Sequence, residues 1–231
     1  MKTPILPYAL FDMDGTLVDS MGYWRRMPIE YLTARGIRPD AEGLRRIETA
    51  RGYDEVIAYF ASLGIPATMP DILRFVEAQM ARHYRDEIRV KPGVPALLDT
   101  LRAAGCRMGI ITLTPHAGAE LCLSKTGLSP YFEFVLTPED MPGQCGKEEP
   151  GIFEEGLRRL GCAAPGECLF FEDSYYAIKT AVEMGLRVVG IEDAWAAFER
   201  DRIAAAVGEY LDLGEVAEAP HPGERRNREN A

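Results

Sequence analysis

The stretch that most constrains this chain is Tyr8-Ala9-Leu10-Phe11-Asp12-Met13-Asp14-Gly15-Thr16-Leu17-Val18. A short apolar run, preceded by Pro7, stops at two carboxylates one residue apart. Four apolar residues bounded in this way form a buried strand. A buried strand that ends in like charges repels itself unless a cation or another positive group meets them. The stretch therefore predicts a metal site at the end of a strand.

The rest of the pattern says what kind of sheet holds that strand. After Pro92-Gly93 the chain alternates between helical and strand periodicity. Pro95 to Leu101 reads as a helix closed by Gly105, and Arg107 to Thr112 as a strand. Pro115 opens a helix that runs to Gly127, and Tyr131 to Leu136 reads as a strand. Pro150 to Leu160, Cys168 to Glu172, Tyr175 to Met184 and Arg187 to Ile191 continue helix, strand, helix, strand. Trp195 to Leu213 reads as helical with a short terminal strand or turn. Such alternation predicts an α/β fold, a Rossmann-like parallel sheet covered on both faces. No internal repeat is visible.

Between Asp19 and Arg89 the periodicity is helical only. Trp24, Met27 and Tyr31 share one face, with Pro28 leaving the start uncertain or kinked. Leu44 and Ile47 mark a short second helix. Ile57, Phe60 and Leu63 mark a third, and Ile72, Phe75, Val76, Gln79, Met80 and Tyr84 a fourth with Pro70 in its first turn. These boundaries divide the chain into a core of residues 1–18 and 93–216 and a helical insert of residues 19–92. The insert includes two hinges, near Val18 to Met21 and near Arg89 to Gly93. A polar, Pro-containing segment of residues 217–231 reads as a mobile tail.

Composition narrows the function. The chain of 231 residues is 47% hydrophobic and 27% charged, which suits a soluble globular protein. Its net charge of -10 argues against a nucleic-acid partner. No apolar run approaches membrane-spanning length, and Asp12 interrupts the apolar N-terminus, which argues against a membrane partner and a signal peptide. Five cysteines, none at CxxC spacing, suggest reduced thiols and a cytoplasmic location. The insert is as compatible with a monomer as with a dimer.

Parallel sheets present ligands at the C-terminal ends of their strands. Those ends carry Asp12 and Asp14, then Thr112, then Glu172-Asp173-Ser174, and Lys147 stands in a loop-like run between them. Taken singly, each has a plainer explanation: a solvated Asx turn, a structural strand-end hydroxyl, a helix cap or a surface lysine. As a set they suit a hard cation held by carboxylate oxygens and a phosphoryl group bound by a hydroxyl and a lysine. Thr114 competes with Thr112 as the hydroxyl and is set aside because it stands two residues later.

These residues carry a resemblance. Asp-Met-Asp-Gly-Thr-Leu-Val-Asp-Ser resembles the first motif of the haloacid dehalogenase-like hydrolase superfamily. Thr112, Lys147 and Glu172-Asp173-Ser174 resemble its second, third and fourth, in order, between Tyr8 and Ile191. The insert resembles the helical cap of phosphoglycolate phosphatases and beta-phosphoglucomutases. Two departures occur in the third motif, which usually reads Lys-Pro-x-Pro-Asp: Glu148 replaces the first proline and Gly151 the aspartate. Cys145, two residues before the lysine, reads as a passenger thiol.

The resemblance implies roles. Asp12 would be the nucleophile that forms an aspartyl phosphate, and Asp14 the general acid and then base. Mg2+ would be held by the Asp12 side chain, the Asp14 backbone carbonyl and Asp173, with Glu172 ligating or supporting. Thr112 and Lys147 would hold phosphoryl oxygens, and Gly15 would permit a tight turn. Asp14 argues against dehalogenation. Trp24 stands where mutases of this type carry a histidine, which weakens a sugar-phosphate mutase. The insert contains no lysine for phosphonate hydrolysis. A Mg2+-dependent phosphatase of a small phosphorylated metabolite is the expectation, with a mutase or a non-catalytic binding protein as alternatives. Tyr23, Trp24, Arg25, Arg26, Arg51 and Tyr53 are candidate substrate-lining residues. Arg51 leads among them, although core packing for Trp24 and solvation for the arginines are the plainer readings.

Overall fold

The computed structural model describes residues 2–50, 53–141 and 146–214. The chain forms two compact units, Met1–Asp19 with Arg89–Ala231, and Ser20–Ile88. The tail expected beyond residue 216 lies outside the described residues.

The larger unit is built on six parallel strands: β1 (Tyr8–Phe11), β2 (Arg107–Ile111), β3 (Val135–Leu136), β4 (Cys168–Glu172), β5 (Arg187–Ile191) and β6 (Glu209–Leu211). Their order is β3-β2-β1-β4-β5-β6, so β1 lies between β2 and β4. Register follows directly: Phe11 pairs with Ile110 on one side and Phe171 on the other. This is why β1 is apolar throughout. A strand flanked on both edges and covered on both faces leaves no position where a polar side chain reaches water. The α/β fold with a parallel sheet is thus as its sequence pattern predicts.

The helices that join these strands are α5 (Val94–Ala103), α6 (His116–Thr126), α7 (Gly151–Leu160), α8 (Tyr175–Glu183) and α9 (Arg200–Ala206). In the smaller unit they are preceded by α1 (Met21–Thr33), α2 (Ala41–Glu48), α3 (Tyr53–Ser62) and α4 (Met69–Asp86). Leu10, Ile111, Phe170 and Val188 of the sheet share one core cluster with Phe153 and Leu157 of α7, Ala177 and Ile178 of α8, and Ile203 of α9. Phe11 stacks on Phe171 with ring centroids 4.4 Å apart, and Phe132 meets Phe11 edge-on at 5.6 Å.

Two sequence expectations shift. The strand expected over Tyr131 to Leu136 is only Val135–Leu136, because Ser129–Tyr131 forms a 3-10 turn around Pro130. In α3 the buried face is Val56 and Phe60, while Leu63 is 44% exposed. Leu63 lies just beyond the last helical residue, so helical spacing no longer sets its direction.

In the smaller unit, Pro28 lies inside α1 and removes one backbone donor there. Helix α4 begins with a Thr68–Asp71 capping box and buries Ile72, Val76, Met80 and Tyr84, with His83 beside them. Tyr31 stacks on Phe60 at 5.2 Å between ring centroids. The described residues of this unit contain no strand.

The chain leaves and re-enters the larger unit along one pair of segments. Val18 and Val90 form an antiparallel bridge, flanked by Asp19 N–H to Arg89 C=O and Lys91 N–H to Leu17 C=O, each at 2.9 Å. The returning segment ends at Gly93, whose φ is 82° and where a Cβ would lie 2.2 Å from the Leu213 carbonyl oxygen. Gly93→Ala is therefore expected to lower stability by about 2 kcal/mol or more, or roughly 4–8 °C in melting temperature. Thermal unfolding checks this, and an unchanged midpoint would contradict it.

Candidate active site

Three carboxylates meet at the C-terminal edge of the sheet. Asp12 follows β1, Glu172 ends β4 and Asp173 follows it. Each is buried, and one oxygen from each lies within 4.8 Å of the others. The strand pairing enforces this meeting. Phe11 is level with Phe171, and the Asp12 N–H donates to the Phe171 carbonyl at 2.9 Å.

One cation of the chain enters this group. Lys147 is buried, and its Nζ lies 2.5 Å from Asp12 Oδ1 and 2.9 Å from Glu172 Oε2. The other Glu172 oxygen accepts the backbone N–H groups of Asp173 and Ser174 at 3.2 and 3.0 Å. Asp173 Oδ1 accepts the Thr16 hydroxyl at 3.1 Å. Asp12 Oδ2 is buried and has no hydrogen-bond partner among the described residues.

Burial first, and the nearby Glu172 charge second, push the Asp12 carboxyl up to about 7 despite Lys147. Burial and then Glu172 also raise Asp173 well above the usual carboxylate range. Burial disfavours the Lys147 ammonium, but Asp12 and Glu172 outweigh it and hold its proton more tightly than usual.

Three carboxylates against one ammonium leave two negative charges if all are ionised. That is the charge of one divalent cation. A hard cation also prefers oxygen donors, and the buried Asp12 Oδ2 is an acceptor with nothing to accept among the described residues. The residues present thus fit a divalent metal.

Asp14 is placed differently from Asp12. It is half-buried, and its Oδ2 accepts the Thr114 hydroxyl at 2.6 Å. It does not belong to the three-carboxylate group. The Thr114 N–H in turn donates to Thr112 Oγ1 at 3.2 Å, so the two threonines form one short turn after β2. Thr112 is buried and its own N–H is tied to Leu136 C=O at 3.0 Å. Gly15 has φ of 90°, a conformation strained for any residue with a side chain.

Sequence reasoning missed Thr114, which it set aside in favour of Thr112, and Thr16, which lay unremarked within the first motif. The two hydroxyls are not alternatives: Thr112 is held by backbone bonds, whereas Thr114 reaches Asp14. The insert candidates lie in the smaller unit. There Trp24 is half-buried, Arg25 and Arg26 are exposed, and Tyr23 packs on the His83 ring at 4.3 Å between centroids. Arg51 and Cys145 lie outside the described residues, as does the Tyr53 side chain.

A family model for haloacid dehalogenase-like hydrolases matches residues 8–185. The chain belongs to this family. Protein CbbY of Cereibacter sphaeroides is 33% identical over 189 residues, 78% of this chain and 81% of that protein. Phosphoglycolate phosphatase of Rhodobacter capsulatus is 27% identical over 186 residues, 79% of this chain and 83% of that protein. The crystal structure of CbbY from Rhodobacter sphaeroides in complex with phosphate is similar with a TM-score of 0.73 at 26% identity, covering 91% of this chain and 96% of that one. The α/β sheet of this hydrolase is that of its family.

The Asp12 environment makes stability depend on pH. Its folded value near 7 lies above the ordinary 3.8, so the folded state takes up a proton more readily than the unfolded chain. In metal-free protein this contribution is fully present below about pH 4 and is lost as pH rises through about 7. Asp12→Asn removes the group. In chelated protein at pH 8 the variant should exceed wild type by on the order of 2 kcal/mol, about 4–8 °C, and the gap should close toward pH 4. Melting curves over that range check this, and a gap independent of pH would contradict it.

Proposed function

We propose that this protein is a Mg2+-dependent phosphatase of a small phosphorylated metabolite, acting through an aspartyl-phosphate on Asp12. The observation that carries the proposal is the buried Asp12 with one oxygen on Lys147 and the other without a partner among the described residues. The named relatives add support, since phosphoglycolate phosphatase and a phosphate-bound CbbY share its family and fold.

Asp12, Glu172 and Asp173 would hold the metal, with the Asp14 carbonyl as a further ligand by family resemblance. When bound, Mg2+ lowers the repulsion between a carboxylate nucleophile and an anionic phosphoryl group. An Asp12 carboxylate oxygen attacks phosphorus, the bond from phosphorus to the leaving oxygen breaks, and Asp14 gives that oxygen its proton. Water then donates a proton to Asp14 and attacks the phosphorus, and Asp12 departs as a carboxylate. Lys147 and the Thr112 hydroxyl bind phosphoryl oxygens, and Lys147 offsets charge on Asp12 and Glu172. Thr114 aims Asp14 through a bond that survives both protonation states, because a hydroxyl donates to a carboxylate and accepts from a carboxylic acid.

The helical insert acts as a cap that selects the substrate, with Trp24 and Arg51 as candidate contacts. A cytoplasmic setting suits the free thiols of Cys106, Cys122, Cys162 and Cys168. Among the described residues, no helix is long and apolar enough to cross a membrane.

The test is phosphate release from a panel of sugar phosphates and an aryl phosphate. Release is expected with Mg2+ and not after chelation, and Asp12→Asn should lower kcat by roughly a thousandfold or more. No release from any substrate would refute the proposal. Thr114→Val should lower kcat about tenfold and shift the pH profile, whereas Thr114→Ser should retain most activity. A Thr114→Val enzyme with the wild-type pH profile would remove Thr114 from the mechanism.

A further inference from the structure

Lys91 is the second lysine drawn into the core of the larger unit, and neither the sequence pattern nor the mechanism above uses it. It stands in the segment through which the chain returns to this unit, and its side chain is 12% exposed. An ammonium has three N–H donors. Here they meet the Gly15 carbonyl, the Glu192 carbonyl at 2.8 Å and Asp193 Oδ2 at 2.9 Å. Asp193 is itself buried, and its Oδ1 accepts the Trp195 N–H at 2.8 Å. Lys91 thus ties the loop after β1 to the loop after β5, two positions apart in the strand order.

The place where it grips the first loop is the informative part. Gly15 follows Asp14 and is the residue of that loop with the greatest backbone freedom. Its N–H is fixed by the Val18 carbonyl at 3.0 Å. Its carbonyl is fixed by the Lys91 ammonium. With both peptide groups of Gly15 held, the backbone leading back to Asp14 and Asp12 has little room to turn. The same glycine without Lys91 would be the hinge of the catalytic loop.

We propose that Lys91 is a positioning residue for the Asp12–Gly15 loop, with Asp193 as its buried counter-charge, so that the loop is already shaped for metal and phosphoryl group before either binds. This rests on the phosphatase reading given above. The pair is close to neutral in sum, so it leaves the charge match between the three carboxylates, Lys147 and a divalent cation undisturbed.

A buried ion pair can also serve stability alone, and the two roles separate experimentally. Lys91→Met leaves Asp193 buried and unpaired and should lower the melting temperature. The double variant Lys91→Met with Asp193→Leu replaces the whole pair by apolar groups and should recover most of that loss. Recovery of folding should not bring back function. In the double variant, kcat should stay about 10–100-fold below wild type with KM within about threefold, as for other groups that orient a metal site from behind. Calorimetric titration of metal-free protein with Mg2+ should show binding weakened about tenfold.

A double variant with wild-type stability, kcat and Mg2+ affinity would overturn the proposal and leave the pair as scaffold only. Wild type that releases no phosphate would defeat the phosphatase reading instead. The Mg2+ titration of wild type against the double variant would then decide the role of Lys91 by itself, since equal affinities would refute it.

Discussion

The site depends on one ammonium among three carboxylates. Lys147 holds Asp12 and Glu172 together in a place where water cannot screen them, and Asp173 joins the group with the Thr16 hydroxyl donating to it. At close range in a low-dielectric setting, like charges are costly unless something else intervenes. The metal-free protein answers by raising the proton affinity of Asp12 and Asp173. A divalent cation would answer the same problem without protonating Asp12, the nucleophile proposed above. Proton and metal would therefore compete for one charge deficit, and the architecture that creates the deficit is the parallel sheet, which brings the ends of β1 and β4 side by side.

How much of this could be read from the sequence follows from the range of each interaction. Strands β1, β2, β4 and β5 were legible because each is a continuous apolar run with a turn after it. Strand β3 was read with too early a start, at Tyr131, because the 3-10 turn around Pro130 carries apolar residues that local periodicity does not separate from a strand. The residues proposed to carry chemistry stood out by motif order, and the fold brings Asp12, Glu172, Asp173 and Lys147 together. Their partners were not: Thr114 finds Asp14 across 100 residues, Thr16 finds Asp173 across 157 and Lys91 finds Gly15 across 76. No local pattern marks a hydroxyl or an ammonium for a partner that the fold supplies later.

Thr114 shows what a strand-register rule does not reach. Counting along β2 favours Thr112 as the last residue in strand register, and Thr112 is indeed buried with its N–H in the sheet ladder. Burial and backbone pairing are what a strand position confers. Reaching sideways to Asp14 requires leaving the ladder, and Thr114, two residues on, has done so. The more useful position for orienting a side chain on a neighbouring loop is the first one free of the sheet.

Asp12 and Asp14 are chemically identical and one residue apart, and their surroundings divide the work proposed for them. The Asp12 side chain is almost dry and faces an ammonium and two carboxylates, so its two oxygens are unequal: Oδ1 is engaged by Lys147 and Oδ2 is buried without a partner among the described residues. A general acid in that position would have its proton controlled by Lys147 and by metal. Asp14 is half-buried with a hydroxyl on Oδ2, outside the three-carboxylate group and nearer to solvent. Exchanging the two roles would ask the wetter carboxylate to attack phosphorus through its hydration, and the drier one to shuttle protons it cannot easily release. The alternation of a strand end, one residue turned inward and the next but one already in the turn, is enough to separate them.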